Sequence, residues 1–247
     1  MSKNYIGTSG WSYLHWKNNF YPEGLKSIDW LAYYSNEFPT VEINTTFYHT
    51  PREATIEKWH STAPKDFLFA IKASRYITHL KRLKDCKESL QFFYKSIAAF
   101  KNKTGPILFQ LPPSFKINIE RLKGFIALLN DEYHYTFEFR HPSWFVDEVY
   151  ALFSTHKIAL CITDLGGHLS PEKITSDFTY LRLHGPKKAY QGSYGSIGLK
   201  SWKKKIETWN QTQLSVFCYF DNDEKGYAIQ DAKTLKNIIN GSTSQVG

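Results

Sequence analysis

The chain has 247 residues, 42% hydrophobic and 22% charged, with 14 Gly and 10 Pro, a globular composition long enough for one large core. Its 31 Lys and Arg against 23 Asp and Glu give a formal charge of +8, which directs attention to anionic partners. Three scattered cysteines, Cys86, Cys161 and Cys218, exclude a disulfide framework and a thiolate zinc cluster, and no apolar run reaches the length of a membrane span.

Short apolar runs alternate with helical patterns along the whole chain. Strands are expected over Tyr5–Thr8, Thr40–Asn44, Phe67–Lys72, Ile107–Gln110, Thr136–Arg140, Ile158–Thr163, Thr179–His184 and Ser215–Phe220. Between them lie stripes of apolar residues at helical spacing, among them Leu90, Phe93, Ile97 and Phe100, then Leu122, Phe125, Ile126 and Leu129. Leu199, Trp202, Ile206 and Trp209 form a third stripe, with Lys203, Lys204 and Lys205 on its polar side, and Ala228, Ala232, Leu235 and Ile239 a fourth. Eight strands alternating with helices imply a parallel sheet, and at this length a TIM-type (β/α)8 barrel. One unit is irregular: Leu165–Phe178, between strands six and seven, contains Gly166, Gly167 and Pro171, so its helix is short or absent. A single domain over 1–240 with a frayed polar tail over 241–247 is the expected organisation. The start, Met1-Ser2-Lys3-Asn4, leads directly into a strand, so a cytoplasmic protein without signal peptide or membrane partner is expected.

Strand parity locates candidate functional residues. Strand two reads Val41-Glu42-Ile43-Asn44, strand five Phe137-Glu138-Phe139-Arg140 and strand seven Leu181-Arg182-Leu183-His184. In each, the apolar pair faces the helices, so the polar pair points inward. Lys72 and Gln110 end strands three and four on the same face. Unpaired charges cannot sit in a dry core, so these groups are expected to pair at the C-terminal rim, where barrel active sites lie.

The same strand ends carry a family pattern. It runs through Ile6-Gly7-Thr8-Ser9-Gly10-Trp11, Val41-Glu42-Ile43-Asn44-Thr45-Thr46-Phe47-Tyr48, Phe69-Ala70-Ile71-Lys72 with Ile77-Thr78-His79, and Leu108-Phe109-Gln110-Leu111-Pro112-Pro113. It continues in Glu138-Phe139-Arg140-His141, Arg182-Leu183-His184-Gly185 and Tyr219-Phe220-Asp221-Asn222. In order and spacing this resembles the YecE-like family, domain of unknown function 72. The resemblance covers nearly the whole chain and implies a TIM-type barrel; a relation to endonuclease IV-like barrels, and so to DNA binding, is an analogy of fold.

The strand-end residues themselves suggest chemistry. Arg140, Arg182 and Lys72 with His184 make an anion cradle, arginine offering bidentate contacts to phosphate. Asn44, Gln110 and Asn222 supply neutral hydrogen bonds, and Trp11, Tyr48 and Tyr194 offer rings for a base or sugar. His79 completes the candidate ligand-binding set. The glycine-rich loop Gly185–Gly198, with Lys187 and Lys188, reads as a mobile flap, and Lys81-Arg82-Leu83-Lys84 with Lys87 is a basic run after strand three. The expected partner is a phosphate-bearing small molecule or nucleic acid. An enzyme would carry out phosphoester hydrolysis or a lyase step, with Glu42 or Glu138 as base, His184 or His141 as proton donor, and the cations stabilising charge. Two alternatives stand beside this: a non-catalytic nucleic-acid-binding module, and a carbohydrate-active acid/base hydrolase using Glu42 and Glu138. A metal is not favoured, because no local ligand spacing such as H-E-x-x-H occurs and Arg182 and Lys72 would oppose a cation.

Overall fold

The computed structural model describes residues 2–241; of the tail expected over 241–247, all but Gly241 lies outside the described residues. The chain begins with β1 (Asn4–Thr8), two single 3-10 turns and α1 (Trp30–Glu37). It continues with β2 (Thr40–Ile43), a four-residue helix α2 (Thr45–Tyr48), α3 (Glu53–Thr62) and β3 (Leu68–Lys72). A π-helical turn at Tyr76–Leu80 precedes α4 (Lys87–Ile97), β4 (Thr104–Gln110), α5 (Ile119–Ile126), β5 (Tyr135–Glu138) and α6 (Asp147–Thr155). The last stretch comprises β6 (Ala159–Leu165), β7 (His168–Leu169), β8 (Phe178–Leu183), α7 (Gly195–Gln211), β9 (Ser215–Phe220) and α8 (Tyr227–Ile239).

The sheet order is β1-β9-β8-β6-β5-β4-β3-β2, and a parallel bridge from Ser9 to Glu42 joins the ends of β1 and β2. Parallel strands alternating with helices in this order form the TIM-type α/β barrel expected from the sequence. The irregular unit is also present: β7 folds back antiparallel on β6, and no helix lies between β6 and β8 among the described residues.

Residue contacts gather the chain into two compact units: Met1–Glu42 with Ile162–Glu172 and Asp177–Gly247, and Ile43–Cys161 with Lys173–Ser176. In the first, Tyr21 stacks on Trp30 at 4.7 Å and Tyr34 on Phe38 at 4.9 Å, and α7 buries Leu199, Trp202 and Ile206. Gly7 is required here, because a Cβ would lie 2.3 Å from the Thr40 carbonyl oxygen. That close approach lets the Tyr34 hydroxyl donate to Thr40 O at 3.1 Å while accepting from Thr8 N at 2.9 Å. In the second unit the core is largely phenylalanine: Phe109, Phe137, Phe139 and Phe153 are buried, with Trp144 lying flat on Phe139 at 4.7 Å. The stripes of α4 and α5 bury Leu90, Phe93 and Ile97, and Leu122, Phe125 and Ile126. Asn118 starts α5 by accepting from Arg121 N at 2.9 Å, occupying one of the donors a helix start leaves open. Thr175 accepts from Leu160 N at 2.9 Å and donates to Ile158 O at 2.7 Å, pinning the helix-free connection.

Candidate functional site

In the first unit the alternation along β8 puts Tyr180 and Arg182 on one face, and both reach Glu42. Glu42 and Arg182 are 0% and 1% exposed. Arg182 Nε donates to the two Glu42 oxygens at 3.1 and 2.9 Å and its NH2 to Oε1 at 2.7 Å. Ser9 Oγ adds a donor to Oε1 at 2.6 Å and Tyr180 a phenol to Oε2 at 2.7 Å. The same guanidinium reaches His184 Nε2 at 3.1 Å and Asp221 Oδ2 at 3.4 Å. A guanidinium only donates, so His184 Nε2 accepts and its proton resides on Nδ1, 3.0 Å from Asp221 Oδ2. Four titratable groups thus form one chain, and Asp221, 19% exposed, is its most accessible member.

Acidic and aromatic groups continue beside it. The Trp16 indole donates to both oxygens of Asp223 at 3.0 Å, and His15 Nε2 lies 2.8 Å from Asp223 Oδ2. Burial raises the Asp223 carboxyl above its ordinary value. Tyr13 hydrogen-bonds the Ser9 carbonyl. Burial, with the charges of Asp221, Asp223 and Glu42 behind it, pushes the Tyr13 phenol well up. Among the described residues no three His, Cys, Asp or Glu side chains gather as metal ligands.

Several residues expected at a ligand are built into the fold instead. Trp11 is buried, and its carbonyl accepts from the Tyr21 hydroxyl. Asn222 is fully buried, donating through Nδ2 to Gly192 O and Asp231 Oδ2, each at 2.7 Å. Tyr194 is buried and its hydroxyl accepts from Gly185 N at 3.1 Å. The Gly185–Gly198 loop is tied down where the sequence suggested a mobile flap: Asp231 accepts from Ser193 Oγ at 2.7 Å and Tyr194 N at 2.9 Å. Gly185 itself, at φ +117, leaves its missing Cβ only 2.5 Å from Gln191 O, a turn no side chain would fit.

The second unit collects most of the remaining candidates. Glu138, 0% exposed, accepts from Arg140 Nε, so this pair shares one face at the end of β5. The register sets Gln110 beside Glu138 at the end of β4. Lys72 ends β3 with its Nζ 4.4 Å from the Phe47 ring, whose edge also meets the His79 ring at 5.0 Å. Burial first, then Lys72 and Arg75, push the His79 imidazole below its ordinary value; Arg82 adds to this and Glu138 opposes it. Asn44 precedes α2 with its Oδ1 buried and without a hydrogen-bond partner among the described residues. Tyr48 is 63% exposed. His141 Nδ1 accepts from Ser143 N at 3.2 Å, capping the turn that carries Trp144.

One expectation follows for pH. A folded-state value below the unfolded value means that protonation costs more in the native chain, so His79 contributes stability that is fully present above pH 6.5 and is lost as the pH falls from there through the lower folded-state value. In a proton-detected titration the His79 midpoint should lie below 6.5, and Lys72→Met should move it upward. A midpoint indifferent to Lys72 would show that burial and the arginines set it without the lysine.

Asp221, Asp223, His15 and Arg75 were not singled out from the sequence. The parity used for strands two, five and seven would have found Asp221, since Phe217, Tyr219 and Asp221 alternate with Val216, Cys218 and Phe220.

A family model described as "Protein of unknown function DUF72" matches residues 5–246. The UPF0759 protein YunF of Bacillus subtilis is 28% identical over 95% of this chain and 94% of its own length. The UPF0759 protein YecE of Escherichia coli K12 is 30% identical over a match spanning 57% of this chain and 50% of that protein. Among solved structures, the DUF72 family protein TM1631 of Thermotoga maritima superposes with a TM-score of 0.86 at 30% identity, covering 96% of this chain and 99% of that one. The DUF72 family protein EF0366 of Enterococcus faecalis gives 0.83 at 18% identity, covering 96% and 95%, a likeness of fold. Match, coverage and architecture agree: the chain belongs to the DUF72 family.

Proposed function

We propose that the chain binds a phosphate-bearing anion, a nucleic acid or nucleotide, at the C-terminal ends of β3 to β5. The observation that carries this reading is the cluster around His79: its ring and Lys72 Nζ meet the same Phe47 ring at 5.0 and 4.4 Å, and the charges of Lys72, Arg75 and Arg82 depress its imidazole while Glu138 opposes them. Arg140 adds a guanidinium whose Nε engages Glu138. A phosphate there would replace water around cations already gathered, with little reorganisation. Arg182 is left out of this cradle, because Glu42, His184 and Asp221 absorb its guanidinium.

Binding is better supported than turnover. Both Glu42 oxygens accept from Arg182, with Ser9 and Tyr180 as further donors, so the protein's own groups occupy this carboxylate. This weighs against Glu42 as one of the two carboxylates a glycoside hydrolase needs.

His79 serves as the reporter. Titrating inorganic phosphate or AMP should raise the His79 midpoint, since an added anion reverses part of the cationic field. Lys72→Ala or Arg82→Ala should weaken binding by about tenfold, the scale of one charge-assisted contact. His79 resonances and midpoint unchanged at high phosphate and high AMP would refute the proposal.

A further inference from the structure

The segment Ser74–Lys87 carries more than a lone anion requires. The π-helical turn Tyr76–Leu80 opens it, and a run of left-handed residues follows, Arg82, Leu83 and Asp85 at φ 49, 66 and 49°. Leu83, 3% exposed, anchors that run, and its N–H donates to Ile77 O at 3.1 Å. Lys84 and Lys87 beside it are exposed. Two cavities flank the segment. One, about 400 Å³, is lined by Tyr76, Ile77, Phe92 and Phe93, with Lys81 and one acid, Glu88, at its polar side. Its Tyr76 and Phe92 are 50% and 65% exposed, and Lys81 Nζ sits 5.4 Å from the Tyr76 ring. The other, about 430 Å³, is lined by Lys84, Lys87 and Arg121 with a single acid, Asp85.

An aromatic cavity and a cationic one on either side of one short segment match the two parts of a nucleotide chain. Bases present flat π faces to rings whatever their sequence, and phosphates follow the cations. In a duplex those faces are stacked and closed off, so the aromatic cavity selects unpaired strands. We propose that Ser74–Lys87 binds single-stranded nucleic acid, with a base against Tyr76 and Phe92 and backbone phosphates at Lys84, Lys87 and Arg121. This rests on the phosphate-binding reading above and narrows its ligand to a polymer.

The test is fluorescence anisotropy with a short labelled oligothymidylate, the same oligonucleotide annealed to its complement, and polyglutamate as competitor. Tyr76→Ala and Phe92→Ala should each weaken the single strand by about tenfold, within the range of one base stacked on a ring. Both side chains are half or more exposed, so the variants should keep the parent melting temperature, which is checked alongside. Lys84→Ala and Lys87→Ala should weaken binding and each lower the slope of log affinity against log salt by about one. Equal affinity for the duplex, polyglutamate competing as well as the oligonucleotide, or aromatic variants that bind like the parent would each overturn the proposal. Should phosphate still shift His79 while the oligonucleotide fails to bind, this inference falls and the anion site stands; loss of both removes the anion site as well.

Discussion

Arg182→Met is expected to destabilise the fold by about 3–5 kcal/mol in urea unfolding, the cost of leaving a buried charge without its partner. Glu42 would keep Ser9 and Tyr180 as donors, but neither carries a positive charge, and Glu42 has no exposed surface through which water could substitute. Glu42→Gln should cost less, because Arg182 keeps Asp221 as a counter-charge at 3.4 Å. The double variant should recover much of the loss, because two neutral side chains of similar volume leave no isolated charge. The two single costs are therefore expected to sum to well above the double. Additive costs would mean that the pair contributes through packing alone.

Trp144→Ala should cost about 3–5 kcal/mol, the range for removing a large ring from a packed core. Trp144 is 0% exposed, parallel to Phe139 within 1° and edge-on to Phe115 at 5.3 Å. Its indole nitrogen also donates to the Phe115 carbonyl at 2.7 Å. Trp144→Phe keeps the stack but strands that buried carbonyl, so a smaller loss of about 1–3 kcal/mol is expected. In a chain of this size each kcal/mol lowers the melting temperature by about 2–4 °C, so calorimetry separates the two variants. A Trp144→Ala protein as stable as the parent would show that the surrounding phenylalanines close the gap.

How much of this was legible in the sequence depends on what each residue's position needs. Strand positions follow from apolar runs between turn residues, and the observed β3, β5 and β8 fall within one or two residues of expectation at either end. Parity then places Tyr180 and Arg182 on the face that meets Glu42, because alternation along a strand is fixed by the pleat. Side-chain partners are another matter. Nothing local says that Arg182 meets Glu42 rather than a ligand; that depends on two strands far apart in sequence, with β1 and β9 between them in the sheet, turning their side chains to the same place. The burial of Trp11, Tyr194 and Asn222 was unreadable for a related reason: they lie in connections, where exposure is the ordinary expectation, and their partners Tyr21, Gly185 and Asp231 are set by the fold. His141, expected as a proton donor by type, also caps the turn that Pro142 opens, a role its place one residue before that proline makes readable.

The carboxylate of Asp231 has a consequence for how the molecule loosens. Ser193, the Tyr194 amide and the Asn222 side chain converge on this one residue of α8. Ser193 fills one carboxylate oxygen and the Tyr194 amide and Asn222 share the other, so detaching α8 withdraws the acceptor from all three donors and frees the ends of two connecting segments together. Hydrogen exchange at the Tyr194 amide should then run at the rate at which α8 undocks, and the α7 start and the β9 exit should open as one cooperative unit.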